Sequence, residues 1–134
     1  MVAYSFQKRF AEPILEGRKL GTIRAPRKRH ARPGETMHLF TGMRTKHCRL
    51  IAEKTCHIAC AVELNFHRQF GPGVWKVAGI ELNAATMNCL AREDGFADVL
   101  DMTAFWFDQH GREATEIKFE GVLLRWGGLL RWER

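Results

Sequence analysis

The sequence predicts an α+β fold, a small mixed β-barrel with two or three short helices, and three observations predict it. The chain has 134 residues, the length of one domain. Period-two alternation runs through 48–64, and further strand-like segments occur at 36–41, 74–82 and 117–126. Helical spacing, by contrast, is confined to short stretches. Many strands with few short helices indicate an α+β arrangement and favour closure into a barrel. Apolar residues at 46% and charged residues at 27% fit an ordinary globular chain, and no repeat or Ser-rich linker divides it.

The elements follow in order. Ser5-Phe6 opens a short segment, and Phe10, Ile14 and Leu15 recur at helical spacing until Gly17 ends the helix. Gly21-Thr22-Ile23-Arg24 is a short extended piece that leads into a basic loop punctuated by Pro26 and Pro33-Gly34. Thr36–Thr41 is a strand ending at Gly42. The stretch 47–64 is one long bent strand or two consecutive ones, with even positions apolar except Lys54 and odd positions mostly polar. Phe70-Gly71-Pro72-Gly73 makes a turn before a strand from Val74 to Leu82. Asn83 caps a short helix over Ala84–Leu90, and Arg92-Glu93-Asp94-Gly95-Phe96 interrupts it. Asp98 caps a second helix whose buried stripe is Val99, Leu100, Met102, Phe105 and Trp106, and Gly111 ends it. Ile117–Trp126 is a strand, Gly127-Gly128 fits a two-residue hairpin turn, and Leu129–Trp132 returns.

Composition narrows the function classes. No apolar run approaches the roughly 18 residues of a membrane helix, and the first nine residues have no apolar signal core, which predicts a cytoplasmic protein without a membrane partner. Four cysteines, Cys48, Cys56, Cys60 and Cys89, lack paired C-x-x-C spacing. On a strand, Cys56 and Cys60 face the core while His57 faces away, so the three do not close on one metal ion. No motif binds a recognisable cofactor or metal, and a divalent ion needed for activity stays open.

The net charge of +6 is unevenly placed. Residues 1–54 hold 13 basic and 4 acidic side chains, a balance of +9, and residues 55–134 hold 8 and 11, a balance of −3. The excess is densest at Arg18, Lys19, Arg24, Arg27, Lys28, Arg29 and Arg32, with no acid among them. A field of this kind attracts polyanions, and Lys and Arg contacts to phosphate dominate nucleic-acid affinity. The alternative is a solvated loop that keeps the protein soluble.

Chemistry enters where this charge begins. Lys19 and Thr22 stand three apart around a helix-to-strand turn at Gly21. A threonine hydroxyl becomes a nucleophile when a neighbouring base accepts its proton, and a lysine is such a base when desolvation or nearby cations lower its pKa. Arg18 and Arg24 supply cations, and Asp94 or Glu93 is the local acid that would protonate a leaving group. The alternative leaves Lys19 on the surface and Thr22 satisfying a turn. Trp75, beside Lys76, either presents a ring for base stacking, worth about 1–3 kcal/mol per base, or lies in the core. Trp126 and Trp132 with Leu123, Leu124, Leu129 and Leu130 pack the barrel or a dimer contact, and His110 reads as a helix-end residue.

The segment Gly17-Arg18-Lys19-Leu20-Gly21-Thr22-Ile23-Arg24 resembles the G-x-K-x-x-T-x-R signature of the ASCH domain family. Further features agree in order along nearly the whole chain: the Phe10–Leu15 helix, Pro33-Gly34-Glu35 before a strand, Arg44-Thr45-Lys46-x-Cys48, Asp94-Gly95-Phe96 before a helix with Phe105-Trp106, and Phe119-x-Gly121. The resemblance implies a single-domain β-barrel like that of pseudouridine synthases and archaeosine transglycosylases, associated with RNA. One branch of the family is similar to small amidohydrolases that deacetylate acetylated cytidine. Their signature lysine and threonine correspond to Lys19 and Thr22, and their downstream glutamate aligns with Asp94, one residue after Glu93. A second branch consists of ribonucleases acting on single-stranded RNA and also depends on the cleft lysine.

The expectation is therefore an RNA-binding protein that hydrolyses single-stranded RNA through this cleft, because the basic loop suits a polymer better than a nucleoside. Deacetylation of a modified nucleoside, acetylated cytidine, is the alternative, and the protein is expected as a monomer or weak homodimer. Lys19 is the base, Thr22 the nucleophile or water-orienting hydroxyl, and Asp94 the acid. Arg18, Arg24, Arg27, Lys28, Arg29, Arg32, Arg44 and Trp75 hold the RNA. The competing class is a non-catalytic RNA-binding module that uses the same cleft with Lys19 paired to phosphate.

Overall fold

The structure, a computed structural model, describes residues 2–127. Among them the chain forms strands β1 (Val2–Phe6), β2 (Gly21–Arg24), β3 (Thr36–Thr41), β4 (Arg49–Thr55), β5 (Ile58–His67), β6 (Gly71–Pro72), β7 (Lys76–Val77), β8 (Ile80–Glu81) and β9 (Glu116–Arg125). Helices α1 (Ala11–Leu15), α2 (Ala84–Glu93) and α3 (Val99–His110) complete the fold, with a 3-10 turn at Lys8–Phe10 leading into α1. The class is α+β. The returning segment Leu129–Trp132 of the sequence-predicted hairpin, with Gly128 and Trp132, lies outside the described residues. No helix among the described residues is long and apolar enough to cross a membrane.

Two sheets carry the strands. One has the order β1-β3-β4, with β1 parallel to β3, and the other has the order β2-β9-β5-β7-β8, with β6 also on β5. The spine is the antiparallel pair β5 and β9, in register over ten positions from Ile58 opposite Arg125 to His67 opposite Glu116. Alternation decides its faces: Val62, Leu64 and Phe66 point into the core. The long alternating stretch of the sequence is two strands, and the chain changes sheet between them. The Cys56 amide bonds to Glu35 O at 2.8 Å, and the next amide, His57, bonds to Arg125 O at 2.7 Å. Sheet-switching bends of this kind make the corners of two-sheet folds.

Inward alternation weakens toward the start of β4. Cys48 is exposed and Leu50 is half-exposed, because β4 is the outermost strand of its sheet. The predicted strand from Val74 to Leu82 is instead a tight hairpin of β7 and β8, turned by Ala78 and Gly79 at φ +51 and +79. Leu100, expected in the buried stripe of α3, and Leu15 of α1 are exposed. The caps match the sequence: Asn83 accepts from Thr86 N, and Asp98 from Asp101 N. Helix α2 runs on to Glu93, past the predicted end at Leu90.

The sheets do not close into one hydrogen-bonded barrel among the described residues. At the seam where β1 faces β2, arginine side chains take the place of a backbone ladder. Arg24 Nη2 donates to Ser5 O at 2.6 Å and Arg27 Nη2 to Ala3 O at 3.4 Å. These guanidiniums satisfy carbonyls of the β1 edge that a neighbouring strand would otherwise bond. The seam therefore stays ajar, and a cleft opens there.

Candidate functional site

A cleft of about 320 Å³ lies between the end of β1, strand β2, the link from α2 to α3 and the last turn of α3. That is the small end of the range for small-molecule sites, roughly 300–1,000 Å³. Lys19, Thr22, Arg24 and Asp94 line it together with an aromatic wall that includes Phe6, Phe10, Phe96 and Phe105. The wall continues into the core, where Phe66 stacks on Trp106 at 5.2 Å and Trp106 meets Phe119 at 4.8 Å.

Two glycines place the central pair. Gly17, at φ +80, terminates α1: its amide bonds to Ile14 O, and the Arg18 amide bonds to Pro13 O. Gly95, at φ +98, terminates α2 in the same way, with its amide on Arg92 O and the Phe96 amide on Ala91 O. This is the left-handed helix stop that glycine adopts without a Cβ penalty. Lys19 leaves the first stop two residues later, and Asp94 is the last residue before the second. The two backbones are tied by the Leu20 amide on Glu93 O at 2.7 Å, and the Trp126 amide bonds to Leu20 O at 2.9 Å.

The side chains then meet. Lys19 Nζ donates to Asp94 Oδ1 at 2.8 Å and to Asp94 O at 2.7 Å, and the two residues are only 3% and 7% exposed. The second bond places a cation on the carbonyl end of α2, where the helix dipole favours it. Burial pushes the Lys19 ammonium below its usual pKa and the Asp94 carboxyl above its own, while their mutual attraction opposes both shifts. Arg24 and Arg9 push Lys19 further down. The outcome is a narrowed gap between an amine and a carboxyl in direct contact. Lys19 also sits 4.8 Å from the Phe10 ring centroid, and the surface position considered for it does not apply.

Thr22 is buried on β2, opposite Leu124 of β9, and its Oγ1 accepts from Arg24 Nε at 3.0 Å. Residues i and i+2 of a strand share a face, which brings Thr22 and Arg24 to the cleft together. Arg24 stacks over Phe6 at 4.7 Å, and burial lowers its pKa. Glu93, the alternative acid, turns the other way and receives Arg125 Nη1 at 2.7 Å. Among the two acids, only Asp94 lines the cleft.

The remaining predicted RNA contacts divide into groups. Arg27 stacks on Tyr4 at 4.5 Å, next to Arg24, which lies 5.4 Å from the same ring, and the two form a basic ledge along the seam. Arg18 pairs with Glu16 on the surface, and Arg29 pairs with Glu35. Lys28 and Arg32 are exposed on the loop, and Arg44 is exposed in the turn after β3 at φ +67. None of these five lines the cleft. Trp75 is a correction: it has no exposed surface, donates its indole N–H to Asn65 O at 3.0 Å and packs on Phe66 at 5.4 Å. It is a core anchor, and no base can stack on it.

Several lining residues carried no signal in the sequence. His110 ends α3 as expected, yet its ring packs on Trp106 at 4.6 Å at the cleft wall, and burial lowers its pKa. Gln7 and Gln109 line the mouth and bond across it, Nε2 to Oε1 at 2.9 Å. A lone glutamine in a loop has no spacing that marks it. Among the described residues no three His, Cys, Asp or Glu side chains gather as a metal site. No protein-family model, curated protein or solved structure matches the chain.

Proposed function

We propose that the protein is a cytoplasmic hydrolase of the ASCH type that acts on a nucleobase-bearing substrate, a modified nucleoside or a residue of single-stranded RNA. The buried Lys19–Asp94 contact in the same cleft as Thr22 carries this reading. Strongly perturbed titratable groups in direct contact and lining a cleft mark functional sites. The cleft volume suits one nucleoside better than a polymer, which favours hydrolysis of an amide on the base, as in acetylated cytidine.

The chemistry follows from the pair's electrostatics. Burial favours the neutral forms, an amine on Lys19 and a protonated carboxyl on Asp94. Lys19 takes the proton of the Thr22 hydroxyl, or of a water held by it, and the freed oxygen adds to the acyl carbon. Arg24, with Nη1 free of partners among the described residues, faces the oxyanion that forms. When the C–N bond breaks, Asp94 returns a proton to the departing nitrogen, and Lys19 and Asp94 then exchange the proton left between them. On the Thr22 route a water then gives a proton to Lys19 and adds to the acyl ester, and the Thr22 oxygen leaves with that proton, which releases the acid and restores the hydroxyl.

A second reading, cleavage of single-stranded RNA, is favoured by one observation: the Arg24 and Arg27 ledge runs along the seam directly beside the cleft. One assay set tests both. Purified protein is incubated with acetylated cytidine and, separately, with single-stranded RNA, with and without a divalent metal. Release of acetate that is lost in Lys19→Ala supports the amidohydrolase, and RNA cleavage lost in the same variant supports the ribonuclease. Turnover that survives Lys19→Ala refutes the mechanism, and salt-sensitive RNA binding without turnover points to a non-catalytic module, monomer or weak homodimer.

A further inference from the structure

We infer that Gln7 is the specificity-determining residue of the cleft, its amide held in one orientation so that it accepts a hydrogen bond from an N–H on the outer end of the bound base. This inference rests on the proposal that the cleft takes a nucleobase.

A side-chain amide offers a carbonyl acceptor and an amino donor, and a free glutamine turns over to suit either ligand edge. Gln7 is not free to do so. Its Nε2 donates to Gln109 Oε1 at 2.9 Å. Gln109 is fixed in turn because its own Nε2 donates to Asp108 Oδ2 at 3.1 Å, and Arg112 Nη2 holds the other carboxylate oxygen of Asp108, also at 3.1 Å. The chain of bonds ends at Gln7 Oε1, which has no partner among the described residues. Turning the Gln7 amide over sets its carbonyl against that of Gln109 and loses the bond between them.

The inner cleft has the opposite character. Arg24 is a donor only, and the Lys19 hydrogens already go to Asp94. A ligand that satisfies both ends carries an acceptor oxygen inward and an N–H outward. An N4-acylated cytosine meets this requirement with its acyl oxygen inward at Arg24 and its amide N–H outward, the two pointing opposite ways across the scissile C–N bond, and cytosine keeps the same outward N–H. Uracil carries a carbonyl in place of that N–H and sets it against Gln7 Oε1. Reading a base by its hydrogen-bonding edge is the usual means of discrimination in a single-base pocket.

The experiment measures equilibrium binding of cytidine and uridine to the full chain and to Gln7→Met and Asp108→Ala, each checked for folding by thermal melting. Gln7 and Asp108 are exposed, so both variants retain the fold. The expected wild-type preference is about tenfold for cytidine, the factor equivalent to 1.4 kcal/mol. Gln7→Met brings the ratio to near one, and Asp108→Ala, which frees the amide to turn, lowers it at least threefold. A wild-type ratio below two, or a preference unchanged in either variant, overturns the inference while leaving the nucleobase cleft standing. Absence of binding for both nucleosides overturns the nucleobase reading and this inference with it.

Discussion

Removal of one partner from the Lys19–Asp94 contact is the sharpest perturbation the structure offers. The groups meet at 2.8 Å with both side chains less than a tenth exposed. Breaking a buried pair from one side strands the other charge, at a cost of about 3–5 kcal/mol. For a chain of this length we expect Lys19→Met or Asp94→Leu to lower the Tm by roughly 12–20 °C. The double variant Lys19→Met/Asp94→Leu strands nothing and lies within about 2 kcal/mol of the wild type or above it. The two single variants also bend oppositely with pH. In Lys19→Met, burial raises the folded pKa of Asp94 above its unfolded value, so stability is intact below the ordinary carboxylate range and falls as pH rises through the raised pKa. In Asp94→Leu, burial lowers the folded pKa of Lys19, so stability is intact at high pH and falls as pH drops through the lowered pKa. Urea and thermal melts of the four proteins between pH 5 and 9 measure both effects. Single variants within about 0.5 kcal/mol of the wild type, a double variant as damaged as the sum of the singles, or pH slopes of equal sign would refute the buried pair.

Other expectations are independent of that cycle. Thr22→Val removes the acceptor of Arg24 Nε and the hydroxyl together; turnover of the responsive substrate falls about 10²–10⁴-fold, while melting shows a loss of only about 1–3 kcal/mol. Gly95→Ala forces a side chain to φ +98 and sets its Cβ 3.2 Å from Lys19 Cδ and 3.3 Å from Phe10 Cδ1, so denaturant melts show a loss of about 1–3 kcal/mol. Glu93→Gln weakens the bond to Arg125 and lowers the melting temperature without changing the pH profile of turnover. Alanine at Arg27, Lys28 and Arg29 lowers the log–log salt slope of RNA binding by about 1.4, two contacts' worth, because Arg29 is already neutralised by Glu35. An unchanged slope would mean that the loop is solvated surface alone.

The seam shows how the sequence reading went short. Two or three helices and many strands were legible, and so was the class they form, but not whether the sheets close. That depended on Arg24 and Arg27, read as free phosphate contacts, which spend part of their donor capacity on Ser5 O and Ala3 O. Trp75 shows the same limit in the other direction. Its position at a strand start, beside a lysine, allowed either face, and Phe66 with Asn65 O, both distant in sequence, draws it inward.

By itself the sequence determined what is decided within about four residues: the caps at Asn83 and Asp98, the helix stop at Gly17, the alternation of β5, and the Lys19-to-Thr22 spacing. Those features follow from backbone hydrogen bonds and side-chain period, which neighbours along the chain settle. Only the tertiary structure decided that Lys19 meets Asp94 across 75 positions, that Glu93 does not, and that Gln7 bonds Gln109 across 102. Contacts at that separation are selected by the packing of the whole core, because one shared interior must bury Phe10, Phe96 and Phe105 at once, and no local pattern records which polar groups that packing traps together.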